Sequence, residues 1–161
     1  PGENEGENAA ALVEILVVCT IMAIMLGLAM VRLDSSVGRR LESAAEDLAR
    51  LLEAARDESV IRGQPLAFSS DGQGYQFWLC ETAHNEWVAL PGSAVIAARK
   101  FPDGVVLSSL LINGTSRPLG ERVVFSLSGI SEPFTLTLSS ESSHINILAD
   151  ALGRIEISHA Q

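Results

Sequence analysis

Leu12-Val13-Glu14-Ile15-Leu16-Val17-Val18-Cys19-Thr20-Ile21-Met22-Ala23-Ile24-Met25-Leu26-Gly27-Leu28-Ala29-Met30-Val31 contains one charged side chain, Glu14. From residue 15 to residue 31 only Cys19 and Thr20 interrupt the apolar run. At about 1.5 Å per residue such a helix is roughly 26 Å long, close to the ~30 Å of a hydrocarbon core. A helix half exposed to water needs a polar face, and this one has none. A secretory signal would end at a small-residue cleavage site, whereas the polar chain after Val31 keeps its helical texture. The segment reads as a membrane-spanning helix.

On its N-terminal side, residues 1–8 contain only Pro, Gly, Asn and Glu, and read as an unstructured leader. On its C-terminal side the helix changes character. Val37, Leu41, Ala44, Ala45, Leu48, Leu51, Leu52 and Ala55 recur at spacings of three and four. Charged residues such as Glu42, Glu46, Arg50 and Glu53 fill the opposite face, with i,i+4 pairs such as Glu46–Arg50. Gly63 and Pro65 stop the helix. The organisation is thus residues 1–8 as leader or altered terminus, 9–33 as membrane helix, 34–63 as amphipathic helix and 64–161 as head.

The head has the texture of short strands. Residues 65–69 and 75–79 flank Ser70-Asp71-Gly72-Gln73-Gly74, which reads as a hairpin turn. Strands are also expected over residues 87–90, 95–101, 105–112, 123–127, 134–138, 144–148 and 154–158. Alternation is clearest where Phe134, Leu136 and Leu138 interleave with Thr135 and Thr137. Pro102-Asp103-Gly104, Asn113-Gly114 and Gly153-Arg154 read as tight turns. Two longer polar connections are the ones most open to a partner: residues 81–86, with Thr82, His84 and Asn85, and residues 113–121, with Arg117 and Pro118. So small an antiparallel head cannot cover both its faces, and the amphipathic helix is expected to lie across it. The fold class is α+β.

Charge and motif chemistry exclude several functions. Of 161 residues, 20 are acidic and 11 basic, giving a net charge of −9, which opposes broad binding of nucleic acid or anionic lipid. Only Arg154 follows Arg122, so the head carries no basic cluster in sequence. His84, His144 and His159 are scattered and form no zinc spacing, so neither metal nor cofactor is expected. No serine lies in a nucleophile elbow, and no catalytic site is visible. Cys19 in the membrane and Cys80 in the head cannot pair within one chain, and Cys80 is expected to be buried. Asn113-Gly114-Thr115 matches a glycosylation sequon, but Asn-Gly between strands is preferred as a hairpin turn.

Leu12-Val13-Glu14-Ile15-Leu16-Val17-Val18 resembles the signature that opens type IV pilins and type II secretion pseudopilins. Further along, Leu48-Ala49-Arg50, Ala54-Ala55-Arg56-Asp57-Glu58 and Ile61-Arg62-Gly63-Gln64-Pro65 are similar to a stretch of the H-type minor pseudopilins and the related FimT group. Asp71-Gly72-Gln73-Gly74-Tyr75, Phe101-Pro102-Asp103-Gly104-Val105 and Gly153-Arg154-Ile155 extend the likeness through the head. The resemblance implies a type IV pilin-like fold, with a long N-terminal helix packed on a small antiparallel β head. It also implies a non-enzymatic subunit held in the bacterial inner membrane, head in the periplasm, before assembly into a pseudopilus. The partners it implies are the I-, J- and K-type minor subunits and the major G-type subunit. Glu14 would pair with the N-terminal ammonium of a neighbouring subunit; a snorkelling residue at the membrane face is the plainer reading.

Departures from the pattern fall at the N-terminus. Ala9-Ala10 stands where the leader peptidase would meet Gly-Phe, and Glu3, Glu5 and Glu7 replace the usual basic residues. Arg32, Arg39 and Arg40 lie on the other flank, a bias that alone would place the head in the cytoplasm. Residues 1–11 are therefore expected to be an altered terminus. Two other functions stay open: a FimT-like minor pilin that binds DNA for uptake, and an anchored periplasmic domain with an unrelated ligand.

Overall fold

The computed structural model describes the backbone of residues 3–90, 96–141 and 143–159, and within those the side chains of residues 8–28 and from 37 onward. The chain divides into two units, Pro1–Ser36 and Val37–Gln161. Helix α1, Glu3–Arg62, runs through both. It begins inside the stretch expected to be an unstructured leader, and that expectation is corrected. Glu is a good helix former, and extending a helix already nucleated over Ala9-Ala10-Ala11 adds one hydrogen bond per residue fixed.

The end of α1 falls where the sequence places it, and the reason is local. Gly63 takes φ 63°, its N–H bonds to the carbonyl of Val60 at 3.3 Å, and the N–H of Gln64 bonds to that of Ser59 at 3.2 Å. This is the Schellman arrangement, in which a left-handed residue turns the chain back to satisfy the last free carbonyls. Pro65, which has no N–H to donate, keeps the helix from continuing.

In the second unit, strands β1 (Leu66–Ser70), β2 (Gly74–Glu81), β3 (Glu86–Ala89), β4 (Arg99–Lys100) and β7 (Val123–Phe125) form one antiparallel sheet. Its order is β3-β2-β1-β7, with β4 also on β2. Strands β5 (Val106–Ile112), β6 (Thr115–Arg117), β8 (Phe134–Ser139), β9 (His144–Ala149) and β10 (Ile155–His159) form a second, ordered β10-β9-β8-β5-β6. Two expectations change. The strand foreseen over residues 95–101 is reduced to β4; residues 91–95 lie outside the described set, and Phe101 leaves the strand to bury its ring 5.3 Å from that of Tyr75. Conversely, β6 was not foreseen, because Thr115-Ser116-Arg117 is polar throughout and exposed at a sheet edge.

One core joins these sheets to the second half of α1. Leu41, Ala45, Leu48, Leu52 and Ala55 are buried together with Leu66, Phe68, Phe77, Leu107, Leu136, Leu138 and Ile147. The helical stripe read from the spacing is the buried face. Phe125 of the first sheet meets Phe134 of the second edge to face, with ring centroids 6.3 Å apart. At the far end of the helix Arg56 donates from Nη1 to the carbonyl of Gly153 at 2.6 Å, while Asp57 accepts from its Nε and Nη2. Gly153 has φ 73°, and a Cβ there would sit 2.5 Å from the Arg56 Cδ. The glycine is needed both for the turn and for the close approach of the arginine.

The two halves of α1 should respond oppositely to the same substitution. Leu52→Ala removes a fully buried side chain and is expected to cost about 2–5 kcal/mol. Leu16→Ala, at an exposed position, should stay within about 0.5 kcal/mol. Denaturant melts of the full chain in detergent micelles check both values.

Candidate functional site

The first candidate surface is the membrane half of α1. Asn8–Leu28 is long and apolar enough to cross a bilayer, with mean hydropathy 2.6 and none of it buried within the chain. It fits a single-pass anchor. Thr20 donates its hydroxyl to the carbonyl of Leu16 at 2.7 Å, which spares an unpaired polar group in hydrocarbon. Glu14 is exposed on this helix and forms no ion pair with a described residue. Ala9 and Ala10, the expected leader-cleavage region, are exposed helical residues upstream of it.

The two connections expected to meet partners are tighter than their sequences suggest. Thr82, His84 and Asn85 form the turn of the β2–β3 hairpin, where Glu81 pairs with Glu86. The N–H of His84 bonds to the carbonyl of Glu81 at 3.2 Å, and Asn85 adopts φ 50°. All three side chains are exposed. Residues 113–121 are a hairpin rather than an open loop. Asn113 and Gly114, at φ 52° and 74°, make the two-residue turn into β6, and Arg117 stands on that strand 3.7 Å from Glu121. The Asn113 side chain donates to Glu132 at 2.8 Å. Arg117 therefore belongs to one sheet and residues 82–85 to the other, and the fold does not bring them into one site.

A third feature was not found from the sequence. Directly opposed residues of antiparallel strands share a face, so Ala67, Trp78, Cys80, Trp87 and Val124 all lie on the side of the first sheet away from the core. Arg122 covers this face, with Cζ 4.4 Å from the Trp78 ring centroid and 5.9 Å from that of Trp87. The Trp78 indole N–H donates to Ser69 Oγ at 2.8 Å. Beside it opens a cavity of about 490 Å³ whose lining includes Ser69, Gln76, Trp78, Arg99 and Lys100. β4 brings Arg99 and Lys100, paired with Tyr75 and Gly74, to the rim of this cavity. The alternation of Tyr75 and Phe77 with Gln76 and Trp78 was the available signal for an occupied outer face. As expected, Cys80 is buried; its Sγ lies 3.7 Å from Asn85 Oδ1.

Two turns owe their shape to aspartates. Asp71 Oδ1 accepts the N–H groups of Gln73 at 2.9 Å and Gly74 at 2.8 Å, and these bonds hold its carboxyl below the ordinary value of 3.8. Asp150 accepts from the N–H groups of Arg154 and Leu152 and from the Arg154 guanidinium, and its pKa is lowered chiefly by the Arg154 N–H. Gly74 is fixed by space: a Cβ would lie 2.8 Å from the Arg99 carbonyl oxygen across the β2–β4 pair.

A long N-terminal helix, apolar first and then sharing a core with antiparallel sheets, defines a type IV pilin-like protein. The family model for the type II transport protein GspH matches residues 44–153, and the chain belongs to that family. The minor pseudopilin EpsH of Vibrio cholerae has a similar crystal structure, with TM-score 0.65 and 15% identity over 76% of this chain and 98% of that one. The solution structure of Escherichia coli GspH gives TM-score 0.59 at 15% identity, covering 76% and 89%. The type IV minor pilin FimU of Pseudomonas aeruginosa gives 0.51 at 18% identity, covering 74% and 89%. No curated protein sequence is significantly similar to the chain.

The aspartate turns predict a direction with pH. A carboxyl whose folded pKa is lowered stabilises the fold fully above its unfolded value, and that contribution disappears as pH falls below about 3.8. Thermal melts from pH 5 to pH 2 should therefore fall less steeply for the Asp71→Asn, Asp150→Asn double variant than for the parent chain.

Proposed function

We infer that the chain is an H-type minor pseudopilin, a structural subunit of the type II secretion pseudopilus that serves the export of folded proteins. The observation that carries this reading is the two-part helix. Within the expected membrane half, 9–33, the described residues as far as Leu28 expose their apolar side chains, whereas the amphipathic half, described from Val37 onward, closes the core of the head over 64–161. Before assembly the apolar half lies in the bacterial inner membrane with the head in the periplasm; after assembly it packs against sister helices in the fibre core. The position is at or just beneath the tip, joining the I-, J- and K-type subunits to the G-type shaft. Family membership supports the secretion system and a structural role.

Within that reading Glu14 has a specific task. A carboxylate inside an apolar helix is costly to bury unless it gains a partner, and the N-terminal ammonium of the neighbouring subunit is of the right charge and depth. A DNA-uptake role is the second reading, favoured by the Arg99–Lys100 cavity and opposed by the net charge of −9.

Glu14→Leu is expected to leave membrane insertion intact and to reduce cross-linking to the G-type subunit in membranes at least severalfold. The direction follows because the neighbour's ammonium is left without its counter-charge. Undiminished cross-linking would remove the pairing role.

A further inference from the structure

The cavity beside Trp78 takes Gly120 of the 113–121 connection into its lining but none of residues 82–85. Its rim carries two cations. Arg50, Arg56, Arg62, Arg117 and Arg154 are each held by a carboxylate within ion-pair distance. Arg99 and Lys100 form no such pair with any described residue, and both are exposed on the two-residue strand that rims the cavity. Asp71 lines the same cavity as an ionised carboxylate and offsets part of the Lys100 charge, its Oδ1 being engaged by the N–H groups of Gly74 and Gln73, which leaves Arg99 as the cation in excess. The local balance is therefore cationic in a chain that is otherwise strongly acidic.

The aromatic wall is also set in advance. Trp78 is pinned through its N–H to Ser69, which is itself buried, and its ring is covered by the Arg122 guanidinium. A side chain fixed before binding loses little entropy when a ligand arrives. Next to it Gln76 contributes an amide able to donate and accept. A space of about 490 Å³ takes a few residues of extended peptide, in the range of ordinary ligand pockets.

We propose that this cavity binds a short acidic segment of a protein partner, whose carboxylates meet Arg99 and Lys100 while an intervening apolar side chain lies against Trp78. An extended polyanion is disfavoured by the charge of the rest of the chain. Its affinity depends on many phosphate contacts at once, and a chain of net charge −9 offers few. A segment with two carboxylates needs only the cations at the cavity. The site stands on its own geometry and does not depend on the secretion assignment.

The test uses the full chain in detergent micelles with Trp87→Phe, which leaves Trp78 as the only tryptophan. The probe is a capped peptide containing Glu-Leu-Glu, compared with its Gln-Leu-Gln counterpart and with a ten-nucleotide oligothymidylate. Saturable change of Trp78 emission is expected with the acidic peptide, weakening as salt rises and at least about tenfold weaker with the neutral one. Arg99→Ser with Lys100→Ser should weaken acidic-peptide binding by a similar factor, whereas Arg117→Ser should not. Arg99→Glu with Lys100→Glu should transfer the preference to a Lys-Leu-Lys peptide, a gain that misfolding would not produce. Equal response to the Glu and Gln peptides, no saturable response, or an unaffected double serine variant would overturn the proposal. Tighter binding of the oligonucleotide than of the acidic peptide would also overturn it, in favour of nucleic acid.

Discussion

The head depends on the burial of one helical stripe. Leu41, Ala45, Leu48, Leu52 and Ala55 are each almost fully removed from solvent, and they meet the inner faces of both five-stranded sheets in a single core. Neither sheet is self-sufficient, because a sheet with one apolar face needs another element to cover it. The stripe is built largely from Leu and Ala. The remaining architecture follows from this contact. The Schellman stop at Gly63 turns the chain straight into β1, and the Arg56–Gly153 hydrogen bond holds the β9–β10 turn against the helix.

That dependence gives a physical meaning to motifs otherwise recognised only by likeness. Arg56-Asp57 is an arginine oriented by its neighbour so that Nη1 can reach a backbone carbonyl. Gly153-Arg154 supplies that carbonyl from a turn which needs φ 73° and no Cβ, and Asp150 closes the turn by accepting N–H groups from Leu152 and Arg154. Gly63-Gln64-Pro65 is a helix stop. Asp71-Gly72-Gln73-Gly74 is a turn in which one carboxylate satisfies two N–H groups, and the carbonyl of Gly72 accepts from the N–H of Leu107 at 2.9 Å. Each of these is a backbone solution, and side chains of other types do not reproduce it.

What could be read from the sequence was what a period or a turn encodes. The three-and-four spacing of the helix stripe, the alternation of Phe134, Leu136 and Leu138, and the Asn113-Gly114 turn are all carried by neighbours within a few residues, and each has its expected place. Features that depend on distant pairing were not legible. β6 has no apolar alternation to announce it. β4 exists only because Arg99 and Lys100 pair with Tyr75 and Gly74, and the pairing of β1 with β7 has no local signal at all. The cavity inherits this limit, since Ser69, Trp78 and Arg99 come together only after β1, β2 and β4 have found their register. The helical start at Glu3 was missed for another reason: composition argued for disorder, while an adjoining stable helix lowered the cost of continuing it.

Net charge and local charge act over different distances, and that separation gives the head its selectivity. At physiological salt, charges beyond about 8 Å are largely screened, so a carboxylate entering the cavity feels Arg99, Lys100 and the low-dielectric wall of Trp78 far more than the remote acids. An extended anion cannot stay within that radius. Most of its length meets the outside of a chain whose net charge is −9. The acidic exterior thus repels polyanions and other acidic surfaces in general, while one cationic cavity admits a short acidic segment. A subunit that must pack among several homologous partners is served by such a combination, because specificity rests on what is rejected as well as on what is bound.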